Sequence, residues 1–594
     1  MKTIVCMLLL AAALHGADDY SLGPDSQPHP GLPQGTVITK LVLPPGKFYP
    51  GTPHHYALYI PARYDPARPT AFMVFLDGSG SLSNNVRVPV VFDNLIAKGE
   101  LPPLIGIFVD PGVLPALSDN DQNRFERVFE YDSLSPRFSR FLLEELIPAV
   151  ARKYNLSKNP DDRAISGVST GAVGALMAAW NRPDQFHRVL SFIGTYVAMK
   201  GADSLPALIR KTEPKPIRVF LQDGHNDHIV PGEPWGTFYA GSWPINNQVM
   251  YEAFESAGYD AKLVLGSEGH NMKQGAAIMP DALRWLWRGY PEPITVHEPA
   301  AMGQPGWDPR GKVYSTVWAD RPWQQVGGTY GPVSGLVAGK DGSVYFGDLA
   351  AGRIYRVDPE GKVSLFRENT GGVKALAVGA DGRVYASVPR MRVVAYGPEG
   401  GETIVSRVQA DGLAISAKGV LYYTNTARAS VGMIDASGHE RLVYVPAPES
   451  GVGLAAAAGL ALSADQSMLI VTDAVGRFSW SFQIAADGSL VNGEPFYRLE
   501  LPEEGWKSGV RGVAEDSIGQ VYFATPEGVQ VCEANGRVAQ ILNPPEPGAL
   551  TALAFAGPEL NWLYVAEGGK LFRRPVKVKG NVPWAPVKPP KPPL

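Results

Sequence analysis

A strand pattern that recurs six times in the second half of the 594-residue chain constrains the fold most strongly. Each copy holds an apolar strand, a turn rich in Gly and Asp, and a second strand of aromatic and β-branched residues. The copies are SGLVAGKDGSVYFGD from Ser334, KALAVGADGRVYAS from Lys374, DGLAISAKGVLYYTN from Asp411, AGLALSADQSMLIVTD from Ala458, RGVAEDSIGQVYFAT from Arg511 and TALAFAGPELNWLYVAE from Thr551. A period near forty residues in an all-β region is typical of propeller blades. The pattern predicts a six-bladed β-propeller over residues 316–581.

The first half of the chain alternates strand-like and helix-like segments. Short apolar runs such as TAFMVFLDG and PLIGIFVDPG end in Gly or Asp, as buried parallel strands do. The segment SPRFSRFLLEELIPAVARKY is helical in pattern and places five apolar residues on one face: Phe138, Phe141, Leu142, Leu146 and Val150. This alternation predicts a doubly wound α/β domain over residues 36–290. We expect residues 291–315 to form a linker and residues 582–594 a disordered Pro-rich tail.

The N-terminal segment MKTIVCMLLLAAALHGADD combines one lysine, a short apolar run and small residues, which is typical of a signal peptide. We predict that residues 1–17 are such a peptide, that the chain has no membrane anchor, and that the mature protein is periplasmic or secreted. A buried N-terminal helix is the alternative. Beyond this segment Cys532 is the only cysteine, so no internal disulfide or Cys-based metal site is expected. The formal net charge of −4, without a basic block, argues against nucleic acid as a partner.

The segment Gly167-Val168-Ser169-Thr170-Gly171 fits the pattern Gly-x-Ser-x-Gly. In an α/β domain this pattern is typical of a strained strand-to-helix turn that exposes a nucleophilic serine. The following segment GAVGALMAAW supplies the helix that must come next, with small residues near the serine. A flexible loop that contains an ordinary serine is the alternative. The surrounding domain favours Ser169 as the nucleophile.

A nucleophilic serine needs a histidine base and an acid that orients it, and the acid comes first along the chain in this fold. The segment QDGHNDHIV follows a predicted strand and offers Asp223 and Asp227; we favour Asp227, because the loop after Gly224 can aim its carboxylate across the sheet. His270 follows the next strand, at the same sheet edge. Other histidines are less suitable: His225 and His228 are too close to the acid, and His29, His54 and His55 precede the first sheet strand that we expect.

Two further sets of residues are candidates for the site. The oxyanion donors are predicted to be the N–H of Thr170 and an N–H in FLDGSGS, from Gly78 or Ser79, where glycine lets the backbone approach a substrate. Trp235 and Trp243 lie between the acid and the histidine along the chain. They either line a substrate pocket or belong to the core.

Residues 36–290 resemble the esterase family of α/β-hydrolases that includes enterochelin esterase and relatives among carbohydrate and feruloyl esterases. The resemblance is carried by PGTPHHYALYIPARYDPARP, VFLDGSG, FEYDSLSPRFSRFLLEELIPAV, ISGVSTGAVGALMAAWNRPDQFHRV and FLQDGHNDH. It implies a serine hydrolase that acts on carboxylic esters without a cofactor, and the family's triad falls on Ser169, Asp227 and His270. Ala172 departs from the family, where many relatives carry a second glycine.

The propeller half is similar to gluconolactonase and regucalcin-like propellers, most clearly in AAGLALSADQSMLIVTD and LTALAFAGPELNWLYVA. That resemblance implies a divalent metal such as calcium at the channel mouth, held by carboxylates and asparagines. Here the aspartate is Asp473, whereas the other ligand positions hold Tyr330, Asp411 and Ala458. The blade starts also place two cations at the mouth, Lys374 and Arg511. We therefore expect no metal, with Asp411 and Asp473 as the residual candidate ligands.

Three functions remain open from the sequence. The leading one is an exported serine esterase that uses Ser169, Asp227 and His270 on a small-molecule or sugar-derived ester, with the propeller as an accessory or substrate-binding domain. The alternative is a metal-dependent lactonase activity in the propeller, alone or alongside the esterase. A third possibility makes both halves binding modules with a silent serine.

Overall fold

The computed structural model describes residues 20–228, 241–297, 312–398, 401–446 and 453–591. The predicted signal peptide, Trp235 and most of the predicted linker lie outside these residues. The described residues divide into two compact units. Of the described residues, the first unit takes in 20–205, 217–228, 241–252 and 260–294; the second takes in 206–216, 253–259, 295–297 and the described residues from 312 to 591. In the described part of the chain, no helix has the length and apolar character needed to cross a membrane.

The first unit is built on an eight-stranded sheet in the order β1-β2-β4-β3-β7-β8-β9-β10. Strands from β4 to β10 in this order run parallel, whereas β2 is antiparallel to both β1 and β4. A separate two-stranded ribbon pairs β5 with β6. The strands are β1 Thr36–Leu43, β2 His54–Ile60, β3 Ala71–Leu76, β4 Leu104–Val109, β5 Val113–Leu114, β6 Arg124–Phe125, β7 Arg163–Val168, β8 Arg188–Phe192, β9 Arg218–Gly224 and β10 Asp260–Gly266.

Helices connect these strands and confirm the predicted α/β class. The helices are α1 Gly78–Leu82, α2 Val88–Ala97, α3 Arg127–Tyr131, α4 Arg137–Phe141, α5 Ile147–Ala151, α6 Thr170–Asn181, α7 Leu205–Lys211, α8 Trp243–Ser256, α9 Lys273–Ala277 and α10 Met279–Trp287. A π-helical turn over Leu142–Leu146 joins α4 to α5. The five residues that the helical pattern placed on one face across this region are all buried.

The sheet begins earlier than the sequence indicated. We expected His54 and His55 to precede the sheet, but both belong to β2, which pairs with β1 and β4. Most of β1 is exposed or half-buried at the sheet edge, so its sequence lacks the continuous apolar run of a buried strand. His54 itself is buried, and its Nε2 lies 2.9 Å from the Glu130 carboxylate.

The second unit contains six four-stranded antiparallel sheets, which confirms the predicted propeller. Blades 1 to 5 each use four consecutive strands. Blade 6 has the order β11-β34-β33-β32, so the first strand of the unit completes the last blade and closes the ring. The strands are β11 Gln324–Val326; β12 Val333–Ala338, β13 Val344–Asp348, β14 Arg353–Val357, β15 Val363–Arg367; β16 Ala375–Val378, β17 Val384–Val388, β18 Arg392–Tyr396, β19 Glu402–Ser406; β20 Gly412–Ile415, β21 Leu421–Asn425, β22 Ser430–Ile434, β23 Glu440–Tyr444; β24 Ala457–Leu462, β25 Met468–Asp473, β26 Phe478–Ile484, β27 Leu490–Arg498; β28 Val513–Glu515, β29 Val521–Thr525, β30 Gly528–Cys532, β31 Val538–Leu542; β32 Leu550–Ala556, β33 Trp562–Glu567 and β34 Lys570–Pro575.

The described part of the Pro-rich tail packs on the propeller, whereas we expected disorder. Trp584 packs against the apolar clusters of the first two blades and the last one. The Val587 N–H donates to the Ala464 carbonyl at 2.7 Å, and Gln466 donates to the Pro583 carbonyl. Proline limits the conformational entropy that the tail loses on ordering, and these contacts compensate for what remains.

Candidate active site

Ser169 lies in a sharp turn between β7 and α6, with φ 59° and ψ −121°. This backbone conformation is strained for a residue with a side chain. Its N–H donates to the Phe192 carbonyl at 3.0 Å, and its own carbonyl accepts from the Thr195 N–H at 3.2 Å. A Cβ added at Gly167 would lie 1.9 Å from the Gly171 carbonyl oxygen, so the turn requires glycine there. The local fold is the strand-to-helix turn that the motif indicated.

The structure brings the predicted triad residues into one continuous chain of hydrogen bonds. The His270 Nε2 lies 2.9 Å from the Ser169 Oγ. On the other side of the ring, the His270 Nδ1 lies 2.8 and 2.9 Å from the two carboxylate oxygens of Asp227. Asp227 is buried, whereas the His270 side chain is 23% exposed. The Ser169 Oγ also lies 3.0 Å from the Thr195 Oγ1, a contact that the sequence did not indicate.

Asp223, near the end of β9, and Asp227, in the loop that follows, have opposite shifts in pKa. Burial raises the pKa of the Asp223 carboxyl well above its usual range, and the hydrogen bond and negative charge of Asp227 raise it further. Burial also opposes the charged form of Asp227, but hydrogen bonds from His270, Asp223 and the His228 N–H outweigh it and lower the pKa of Asp227. The geometry selects Asp227 as the partner of His270, and Asp223 is a neutral carboxyl behind it.

Two aromatic rings pack against His270. The His228 ring centroid lies 4.7 Å from that of His270, and the Trp243 ring meets His270 edge-on at 5.6 Å. Trp243 is 2% exposed, so it is buried like a core residue. It also lies beside His270 in the site, so it has features of both interpretations that the sequence left open, core residue and site residue. Such packing limits rotation of the imidazole.

The candidate oxyanion donors differ in whether their N–H groups already make a hydrogen bond. The Ser79 N–H donates to the Asp110 carboxylate at 2.9 Å, so it is not free to bind an oxyanion. The N–H groups of Gly78 and Thr170 make no hydrogen bond to any residue that the structure describes. A Cβ at Gly78 would lie 2.4 Å from the Phe108 backbone, so only glycine fits at this position. Gly78 and Thr170 therefore remain the candidate donors.

A salt bridge that sequence reasoning missed joins the two loops that carry these donors. The Arg127 guanidinium donates to both carboxylate oxygens of Asp77, each at 2.7 Å. The same guanidinium donates to the Val168 carbonyl at 3.0 Å, immediately before Ser169. Asp77 precedes Gly78 and has φ 52°. Arg127 thus links the turn after β3 to the turn after β7.

The two residual metal candidates in the propeller have other partners. The Asp473 carboxylate accepts hydrogen bonds from four backbone N–H groups, those of Ala455, Ala456, Val475 and Gly476. The Asp411 carboxylate accepts from the Lys374 Nζ and from the Thr426 N–H, each at 2.9 Å. Calcium needs six to eight oxygen ligands, and these residues do not fit that requirement. Among the described residues, the one group of three potential ligand side chains that lie close together is Asp227, His228 and His270.

Comparison with known proteins divides the chain in the same way. Residues 49–287 match the family described as "Putative esterase", and residues 335–568 match the family described as "SMP-30/Gluconolactonase/LRE-like region". The chain joins an esterase domain to a gluconolactonase-like propeller domain. The resemblances noted in the sequence are thereby confirmed for both halves.

Individual relatives are distant. The iron(III) enterobactin esterase of Dickeya dadantii is 24% identical over 208 residues, which are 32% of this chain and 42% of that protein. The uncharacterized protein YbbA of Bacillus subtilis is 23% identical over 248 residues, or 39% of this chain and 92% of that one. A gluconolactonase structure from Xanthomonas campestris is 19% identical with a TM-score of 0.37, covering 43% and 90% of the two chains. The chain thus spans less than half the length of the first of these relatives.

Proposed function

We propose that the first domain is a serine hydrolase of small-molecule carboxylic esters. The observation that carries this proposal is the unbroken hydrogen-bonded chain from the Ser169 Oγ through His270 to Asp227. A nucleophile, a base and an orienting acid in this order are the parts that acyl transfer requires. The esterase family match of the domain supports the same reaction class.

In the first half of the reaction, the Ser169 Oγ attacks the ester carbonyl carbon while the His270 Nε2 accepts the hydroxyl proton. Asp227 holds the Nδ1–H tautomer and stabilises the imidazolium that forms. The oxyanion accepts hydrogen bonds from the N–H groups of Gly78 and Thr170. The carbon–oxygen bond to the alcohol then breaks, and the alcohol leaves with the proton from His270, so that the acyl group stays on Ser169.

In the second half, water attacks the acyl carbon and gives its proton to the His270 Nε2. The tetrahedral intermediate collapses, the Ser169 Oγ takes the proton back, and the carboxylic acid leaves. Every proton that moves is carried by His270, and no step needs a group other than the residues already named. We also propose that the chain is exported, on the strength of the signal-like segment 1–17.

The test is hydrolysis of p-nitrophenyl acetate by the full chain and by Ser169→Ala. We expect the substitution to lower kcat by on the order of 10⁴-fold or more, because it removes the nucleophile. A fluorophosphonate probe should label the parent and not the variant. Ser118→Ala, at an exposed serine, is the matched control and should retain full activity and labelling.

A chelator separates this proposal from the metal-dependent lactonase. Activity that survives EDTA and disappears in Ser169→Ala supports the serine mechanism. If Ser169→Ala hydrolyses the ester as fast as the parent, or if EDTA abolishes the reaction, the proposed mechanism is wrong. Absence of both hydrolysis and probe labelling in the parent would favour two binding modules.

A further inference from the structure

The propeller encloses a central cavity of about 410 Å³ whose lining follows the sequence repeat. Near the start of each inner strand the cavity is lined by one residue that differs between blades: Ser334, Lys374, Asp411, Ala458, Arg511 and Thr551. The next residue is Gly or Ala in all six blades. The one after it is Leu in five blades and Val513 in blade 5.

The charges of this cavity are confined to its mouth. Of the described residues that line it, the charged ones are Lys374, Asp411 and Arg511, in blades 2, 3 and 5. Lys374 and Asp411 form a salt bridge at 2.9 Å and cancel each other. Arg511 is exposed and forms no hydrogen bond or ion pair with any described residue. Among the described lining residues, the positive charge of Arg511 is therefore the one left uncompensated.

Blades 2 and 5 are opposite each other in a ring of six, so Lys374 and Arg511 approach the mouth from opposite sides. Burial acts to raise the pKa of Asp411, but the hydrogen bonds from Lys374 and Thr426 outweigh it and lower that pKa. Asp411 thus stays ionised beside Lys374 and fixes its position. With Lys374 paired to Asp411, the charge left uncompensated among the described lining residues is that of Arg511, which disfavours a metal ion and favours an anion.

Apart from the three charged residues, the side chains of the lining have little capacity for hydrogen bonds. Its uncharged hydroxyl side chains are Ser334 and Thr551, and the Ser334 Oγ already donates to the Val373 carbonyl. The remaining lining residues are Gly, Ala, Pro, Val and Leu. A ligand with many hydroxyl groups would lose hydrogen bonds to water without replacing them. A ligand with a compact apolar body would not lose hydrogen bonds to water in this way.

We propose that the propeller cavity binds a monocarboxylate with a compact apolar body, with the carboxylate at Arg511 and the body against the apolar residues of the lining. A guanidinium pairs with a carboxylate through two parallel hydrogen bonds. The cavity volume is larger than the roughly 150 Å³ that holds benzene in an engineered protein cavity. This site is independent of Ser169 and does not rest on the proposed esterase activity.

Calorimetric titration of the full chain with sodium benzoate tests the proposal. We expect saturable binding that weakens as NaCl is added, because the Arg511 charge at the mouth is open to solvent. Arg511→Gln should weaken benzoate at least about tenfold, the effect of losing one charge-assisted hydrogen bond. Arg511→Lys should recover part of this loss. Lys418→Gln, an exposed cation outside the cavity lining, should bind benzoate like the parent.

Comparison ligands define the chemistry of the site. Benzamide has the shape of benzoate without its charge, and gluconate has the charge without an apolar body; both should bind at least about tenfold more weakly. Ester hydrolysis by Arg511→Gln should be unchanged, which shows that this variant is folded and active. The proposal is overturned if benzoate does not bind, if Arg511→Gln binds it as tightly as the parent, or if calcium chloride titrates the site and benzoate does not.

Discussion

Asp223 and Asp227 are of the same residue type and lie four residues apart, at the end of β9 and in the loop after it, yet of the two it is Asp227 that contacts His270. The Asn247 side chain donates to Asp223 at 2.9 Å, and the Gly224 N–H donates to it at 2.8 Å. Burial and the neighbouring Asp227 raise the pKa of Asp223, which favours its neutral form beside the Asp227 carboxylate. The orienting acid of the site is therefore held by a second, neutral acid.

Asp223→Asn tests this arrangement, because an amide also donates a hydrogen bond but cannot ionise. In the parent, deprotonation of Asp223 at alkaline pH places a second negative charge beside Asp227, so kcat/KM should fall as the pH rises through that pKa. We expect Asp223→Asn to retain most of the activity at pH 7 and to lose this alkaline decline. Asp223→Leu should lower kcat/KM about tenfold at every pH, because no donor remains. If kcat/KM of Asp223→Asn falls at alkaline pH in the same way as that of the parent, the decline cannot be assigned to deprotonation of Asp223.

The backbone at the turn gives a second prediction for a single residue. Gly167→Ala places a methyl group where the Gly171 carbonyl lies, and two backbone segments cannot move apart easily. We expect it to destabilise the first domain by at least about 2 kcal/mol and to abolish ester hydrolysis. Gly80→Ala is the control, because nothing lies within 4 Å of its added Cβ. Thermal unfolding measures both, and a Gly167→Ala protein as stable as Gly80→Ala would refute the argument.

Among the strands and helices, those with a continuous or repeated sequence pattern could be predicted. Buried parallel strands such as β3 and β4 are unbroken apolar runs, and the blades repeat, so both could be recognised. The exposed edge strand β1 has no such run and was missed. The triad followed from chain order and from the positions of strand ends. The bridge from Arg127 to Asp77 could not be predicted, because it depends on how α3 packs against turns that are distant in sequence.

The salt bridge from Arg127 to Asp77 gives a prediction about the two turns that it links, those after β3 and β7. Arg127→Met removes the three hydrogen bonds that tie the turn after β3 to the turn after β7. We expect kcat to fall about tenfold to a hundredfold with a smaller change in KM, because the candidate oxyanion donors lose their relative position. Arg124→Met is the nearby control, since its side chain is 70% exposed and pairs with Glu126 alone. Equal steady-state kinetics for both variants would show that the bridge has no part in catalysis.

Across the whole molecule, several buried acids have raised pKa values. Burial raises the pKa of Asp132 to about 7 in the first domain. In the propeller, burial and neighbouring acids raise the pKa of Glu515 to about 8, and burial raises that of Asp516 to about 6. Between their unfolded values near 4 and these folded values, the folded chain holds more protons than the unfolded chain. Stability must therefore fall as the pH rises through this window.

Glu515→Gln tests this dependence in the propeller. Glutamine is neutral at every pH, so the variant should gain stability over the parent by at least about 1 kcal/mol at pH 8 and gain much less at pH 5. The thermal midpoint of the propeller, followed from pH 5 to pH 8, should decline less steeply in the variant. Glu559→Gln, an exposed acid on the same unit, should follow the parent. If the thermal midpoints of Glu515→Gln and the parent fall equally from pH 5 to pH 8, the prediction is wrong.

Closure of the ring by β11 has a consequence for the order of events on the ribosome. All strands of the α/β sheet lie within Thr36–Gly266, so they are available early in synthesis. Residues 324–326, by contrast, find their partners only when residues 571–573 have been added. Until then β11 has no partner strand, and its unpaired backbone groups are open to wrong pairing. The propeller ring therefore closes only after its last blade has been made, whereas the α/β sheet has all its strands long before.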